Sequence, residues 1–572
     1  MAGNVGGPLS QDEEEVFPII NSSSVTVPRG NYKCSTHLLL SKVPRGSASA
    51  SDETGPTVNV GYATYLGNQS YPNTVAYLGI PYAEPPIGDL RFRATVPLNT
   101  THVSEGAGGQ VINATYYPEF CIQGTIGLGD AGGAGSEDCL KINIYAPYGA
   151  KEGDSLPVLF YIHGGGYVFG NPRNWPFDSW IHQSPNVVIV SVYYRLDSLG
   201  FLATPEFTDP TYGDFNAGFL DQLEALRWVN QYISAFGGDP NRVTINGQSA
   251  GGSSVELHMV ANQGQQLFHG AIAQSVFRTP LPTPEAQQPL FEFYSSYAGC
   301  GTGSIGEQMT CLRNASVSAL ARAQDAAVQG KFNGLFNSFH PVLDGVLFSG
   351  YPTLQFQLGQ FSHVPLIVGS TSNETLSGGT DISVALKEFF PALTGTDIQE
   401  FVALYPLSDY DSPSQQFQVA TGEPDVICGR EAMGGPASLF SGTWTYRYNT
   451  PNPTSGSNVV AHAAENWMMF DGINTGFNGT GTFTQQTPAE VAFASELIGY
   501  WLSFVRSGNP NTYKLGMSPT WEEYTLSNKV RMVLMQDPEN LTTVSGSYME
   551  EEPTAEGDRC AFAISKVLQM ED

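Results

Sequence analysis

One short run limits the possible folds more than any other: RVTINGQSAGGSS, residues 242–254. It places a serine between glycines directly after a β-branched stretch. Glycines on both sides of a serine let the backbone pass very close to it, as happens where a strand turns sharply into a helix. Such a nucleophile elbow would hold Ser249 at its apex and begin a helix near Ala250, with the first amides facing the serine. SAGGSS is small throughout, so that helix can lie close to a sheet. Gly-x-Ser-x-Gly alone recurs by chance in long chains. A sheet, a base, an acid and an oxyanion site must therefore be found elsewhere.

The sheet is legible. VLFYIHGGGY (158–167) reads as an apolar strand ending in three glycines. NVVIVSVYYR (186–195) is apolar throughout, as a strand covered on both faces is. FLDQLEALRWVNQYISAF (219–236) repeats its apolar residues at helical period. HGAIAQS (269–275) and VPLIVGST (364–371) read as further short strands. Strands alternating with helices predict an α/β fold, a large and mostly parallel central sheet flanked by helices. Residues 1–55 are polar and read as an N-terminal extension, and 56–572 as a single domain.

Gly164, Gly165 and Gly166 sit where a strand ends, and consecutive glycine amides can turn toward a developing oxyanion. Otherwise they would be a plain flexible loop. Glu374 follows a later strand, where the chain order serine, acid, histidine puts the acid. Of nine histidines, only His462 lies beyond both Ser249 and Glu374. His163 precedes the glycines and is expected to orient their loop.

The formal net charge of −29 argues against nucleic acid and anionic membranes as partners. Among seven cysteines, Cys121 with Cys139 and Cys300 with Cys311 read as short disulfide-closed loops, and Cys34, Cys428 and Cys560 are left without an assigned pairing. Eight Asn-x-Ser/Thr sequons occur, at Asn21, Asn68, Asn99, Asn113, Asn314, Asn373, Asn478 and Asn540. Together with paired cysteines they predict a secreted glycoprotein. The first twenty residues, MAGNVGGPLSQDEEEVFPII, hold no apolar core of signal-peptide length. No apolar run reaches the length of a transmembrane helix.

With these features in place the chain resembles the type-B carboxylesterases, the family of cholinesterases and fungal lipases. The resemblance runs from YLGIPYAEPPIGDLRF (77–92) to PTWEEYT (519–525). SEDCLKINIYAP (136–147), FGGDPNRVTINGQSAGGSS (236–254), HPVLDG (340–345) and YWLSFVRSGNPN (500–511) carry it between. It implies an α/β-hydrolase fold with helical insertions around an active-site gorge. It implies a triad of Ser249, Glu374 and His462, an oxyanion hole of Gly165, Gly166 and Ala250, and both short disulfides. It also implies supporting roles for Ser275 and for Glu465, a buried acid one helical turn past the base, and an Arg91–Glu137 ion pair. No metal or cofactor is implied. Chain length and sequon count resemble a fungal branch that includes cephalosporin acetylesterases.

Three departures shape the expected substrate. Gln248 stands where most relatives carry Glu, which removes a negative charge near His462. The tryptophan on which cholinesterases stack a quaternary ammonium is missing, with Gly129 near its place. The loop from Cys121 to Cys139 is short and glycine-rich, poor in the apolar face a lipase lid presents to oil. The expectation is a secreted serine esterase of soluble, short-acyl, acetyl-type esters. A lipase of the same family is the alternative, and an adhesion protein on an inactive hydrolase scaffold is the reading from another class.

Overall fold

The β-branched run ahead of Ser249 lies near the middle of an eleven-stranded sheet in the computed structural model of the chain. The structure describes residues 55–125, 132–261, 265–330, 332, 338–376, 379–476 and 479–572. The N-terminal extension with Asn21 and Cys34, Gly129 of the glycine loop, and Asn478 lie outside the described residues. From Gly55 to Asp572 the chain forms one unit.

The strands of this sheet are, in chain order, β1 (Asn68–Tyr71), β2 (Thr74–Pro81), β3 (Lys141–Pro147), β4 (Leu156–Ile162), β5 (Val188–Val192) and β6 (Gly238–Gln248). They continue with β7 (Gly270–Gln274), β8 (Leu366–Thr371), β9 (Thr443–Tyr448), β10 (Val530–Leu534) and β11 (Tyr548–Glu551). Across the sheet they run β11-β10-β9-β8-β7-β6-β4-β5-β3-β2-β1. From β10 to β5 every neighbouring pair is parallel. The pairs at either edge are antiparallel. At one edge the cause is local, because β1 and β2 are joined by two residues, which permits only a hairpin.

Strand β4 shows why its sequence is apolar without alternation. Val158, Phe160 and Ile162 point into one core, and Leu159 and Tyr161 into the other. Successive side chains of a strand leave on opposite faces, so a strand buried between two helical layers needs apolar residues at every position. Helix α1 (Ala217–Tyr232) and helix α2 (Ala250–Ala261) bring Phe219, Leu226, Val255 and Met259 to the first core. Helix α3 (Val317–Gln329) adds Leu320 and Ala323 there. Helix α4 (Ala464–Met469) and helix α5 (Pro488–Ser507) bring Trp467, Phe493 and Trp501 to the second.

Both expected short disulfides are present, Cys121–Cys139 and Cys300–Cys311. A third joins Cys428 to Cys560, 132 residues apart. Arg91 ties the first of these loops down. Its guanidinium pairs with Glu137 at 2.6 Å and donates to the carbonyls of Leu312, Arg313 and Ala315 beyond the second disulfide.

Candidate active site

Strand β6 ends at Gln248 and helix α2 starts at Ala250, which leaves Ser249 alone at the turn. Its φ is +60°, the left-handed region that L-residues rarely occupy. Such strain marks positions that the surrounding structure over-determines. Here the backbone N–H of Ser249 donates to Gln274 O at 2.9 Å, and its carbonyl accepts from Ser253 N at 2.9 Å, the first turn of α2. The flanking glycines are needed for space. A Cβ on Gly251 would press into the carbonyl of Ile162, and one on Gly247 would lie 2.9 Å from the Cα of Gly251.

The acid stands three residues beyond β8. Glu374 is fully buried, and its Oε1 accepts from Thr371 N at 2.8 Å and from Ser275 Oγ at 2.6 Å. Both donors are thus spent on one oxygen, leaving Oε2 for the imidazole. His462 Nδ1 lies 2.5 Å from that oxygen, and its Nε2 lies 2.8 Å from Ser249 Oγ. Two hydrogen bonds, one of them to the Asn373 side chain, join the loops. Asn373 N donates to Val460 O at 3.1 Å, and Val460 N donates to Asn373 Oδ1 at 3.0 Å.

Charge follows this geometry. Burial pushes the Glu374 carboxyl up, but the neighbouring His462 and the donors on its oxygens outweigh that and hold it below its ordinary value. Burial pushes the His462 imidazole down, but Glu374, and Glu465 more weakly, outweigh it and hold it above. Opposite charge at hydrogen-bond distance favours the ionised form of each partner.

The glycine loop lies against the elbow, where a Cβ on Gly164 would come within 2.9 Å of the Ser249 Cβ. Gly165 has φ +116° and Gly166 +61°. Among the described residues, neither amide is spent on a backbone acceptor, and Ala250 N, at the first position of α2, has no acceptor within the helix. His163 is packed rather than poised. Its ring stacks on Tyr194 at 4.5 Å and Trp175 at 5.6 Å, with Nδ1 2.9 Å from Gly164 O. Burial lowers its pKa to about 4, so it stays neutral and donates to that carbonyl. It braces the loop.

Two further residues stand at the site. Gln248 Nε2 is 3.4 Å from His462 Nε2, and Gln248 Oε1 accepts from Asn466 Nδ2 at 3.0 Å. Glu465 is buried, with its own backbone N–H and the Gln274 side chain beside its carboxylate. Burial, aided by the charge on Glu374, raises it to about 7. Sequence reasoning missed Asn466 and the Asn373–Val460 contacts, and no local signal points to either.

Among the described residues, no group of three or more His, Cys, Asp or Glu side chains is placed to hold a metal ion. No described helix is long and apolar enough to cross a membrane.

A parallel-centred sheet, a serine at the strand-to-helix turn of β6, an acid after β8 and a histidine after β9 define the α/β-hydrolase fold. A model of the carboxylesterase family matches residues 54–419. Secreted lipase 4 of Gibberella zeae is 31% identical over 527 residues, 85% of this chain and 91% of its own. Mouse carboxylesterase 1F is 30% identical, over 82% of this chain and 88% of its own. The crystal structure of Aspergillus niger EstA superposes with a TM-score of 0.77 at 30% identity, covering 91% of this chain and 99% of that one. The chain belongs to the carboxylesterase family and is a carboxylic ester hydrolase.

Proposed function

We propose that Ser249 is the nucleophile, His462 the general base and Glu374 the acid that orients it. One observation carries this reading: the unbroken chain from Ser249 Oγ to His462 Nε2 at 2.8 Å and from Nδ1 to Glu374 Oε2 at 2.5 Å. As Ser249 attacks the ester carbonyl, its proton passes to Nε2 and the oxygen's electron pair forms the bond to the acyl carbon. The oxyanion rests on the amides of Gly165, Gly166 and Ala250. His462 returns the proton to the departing alcohol, and water repeats the sequence on the acyl-enzyme.

Soluble esters with short acyl groups, acetyl among them, fit best. The support is the Cys121–Cys139 loop, whose described residues are fastened. Gln123 Nε2 donates to Gly170 O at 2.7 Å, and Thr125 N donates to Asp325 Oδ1 at 3.1 Å. The start of the loop is thus held, and its sequence is short and glycine-rich, poor in the apolar face with which a lid meets oil. Action on longer glycerides is the second reading, and the Gibberella zeae lipase favours it. Secretion is part of the proposal. Three disulfides belong to an oxidising compartment. The sequon residues Asn68, Asn99, Asn113, Asn314 and Asn540 are exposed.

A fluorophosphonate probe should label Ser249, and Ser249→Ala should lose about 10⁶ in turnover. A variant that keeps a tenth of the activity removes the mechanism. Acetyl release from a panel of soluble esters, set against emulsified long-chain glycerides, tests the substrate. A sharp rise in rate above the solubility limit would favour the lipase reading.

A further inference from the structure

Gln248 immediately precedes Ser249 at the end of β6 and is 2% exposed. Its side-chain carbonyl is held by Asn466 Nδ2 at 3.0 Å, so its amide nitrogen faces His462. That nitrogen lies 3.4 Å from His462 Nε2, the atom to which Ser249 Oγ is bonded at 2.8 Å. Neutral imidazole offers one in-plane lone pair at Nε2. The serine hydroxyl has the shorter contact and takes it, leaving the Gln248 N–H as a second donor crowded against it. When the serine proton arrives on Nε2, that lone pair is gone. An N–H would then face an N–H, with the positive end of an amide dipole toward an imidazolium.

Asn466 offers the relief. Its Oδ1 is buried without a hydrogen-bond partner among the described residues. A primary amide keeps its outline after a half-turn about its last, two-fold torsion. If both amides turn, Gln248 Nε2 donates to the idle Asn466 Oδ1, and Gln248 Oε1 faces the imidazolium N–H. The dipole facing His462 reverses, and no net charge moves.

The geometry points to Gln248 and Asn466 as paired positioning residues whose amides turn over together as His462 takes the serine proton. This rests on the Ser249–His462–Glu374 reading above. The pair transfers nothing itself: one proton moves from Oγ to Nε2, and the amides only change which end they present. The charged groups facing His462 are Glu374, from the loop after β8, and Glu465, from α4; neither residue is changed in the variants, and the double variant subtracts the direct effect of the carboxylate that Asn466→Asp adds.

The test is the pH dependence of kcat/KM for p-nitrophenyl acetate with the full chain, Gln248→Met, Asn466→Asp and the double variant. Gln248→Met should move the acidic limb down by about half a pH unit, because the imidazolium loses its carbonyl. Asn466→Asp accepts but does not donate, so it holds the Gln248 carbonyl inward and should move the limb up. That upward shift should shrink by at least half when residue 248 is Met. A limb that rises in Gln248→Met means a fixed N–H faces the imidazole, and overturns the proposal. So does an Asn466→Asp shift of equal size in both backgrounds, or no shift at all. Should Asn466→Asp not fold, the sign of the Gln248→Met shift decides alone. Fluorophosphonate labelling separates the two levels. A labelled Ser249 with an unmoved limb overturns the amide pairing only, whereas an unlabelled native chain overturns the triad reading.

Discussion

Replacing Glu374 by Gln tests the site through hydrogen-bond accounting. Oε1 of Glu374 already takes two donors, Thr371 N at 2.8 Å and Ser275 Oγ at 2.6 Å. A glutamine amide would put its carbonyl oxygen there, since its NH₂ has nothing to accept those donors. The NH₂ would then face His462 Nδ1 at the position Oε2 holds, 2.5 Å away. Nδ1 would have to accept, which drives the ring proton to Nε2. There it points at Ser249 Oγ, and the imidazole can no longer take the serine proton. A wrong tautomer in an otherwise intact serine triad lowers turnover by about 10⁴. That is about 5.5 kcal/mol of barrier. The assay is steady-state turnover of p-nitrophenyl acetate, with a melting curve to show that the fold is retained. A loss of less than tenfold in folded protein would refute the tautomer argument.

Three other outcomes follow from the same geometry. Gly251→Ala should destabilise by about 3 kcal/mol, read as a fall in Tm, because its Cβ meets the backbone of Ile162 rather than a side chain that can move aside. Glu465 has a folded-state pKa raised from 4.5 to about 7, so the folded chain holds an extra proton between those values. Its contribution to stability is then present below about pH 4.5 and is lost as pH rises toward 7. Glu465→Gln should therefore lose less Tm than the native chain between pH 5 and pH 7.5, and parallel curves would contradict this. Replacing Cys428 and Cys560 with Ser frees a loop spanning 132 residues and should cost about 5 kcal/mol by chain entropy, read by denaturant unfolding.

Residues with a local signature were legible in the sequence. Ser249 carries its glycines, Gly165 and Gly166 follow an apolar strand, and Glu374 trails another. His462 has no signature of its own and was selected because the other histidines all precede Glu374. Contacts between distant segments were not legible. Gln248 and Asn466 are 218 residues apart, and nothing in either neighbourhood marks the other. The pairing of Cys428 with Cys560 was hidden for the same reason. The mostly parallel sheet was legible, but which of its strands run antiparallel was not: an apolar strand reads the same whichever way its neighbour runs, and direction is decided by connections and packing.

Serine and acid sit just past the ends of two parallel strands and histidine follows a third, with 87 residues between the last two. The proposed reaction apparatus is therefore bolted to the sheet, while most of the chain between those strands carries none of its three side chains. A new taste in esters can be acquired by rewriting those spans, leaving the proton path unaltered.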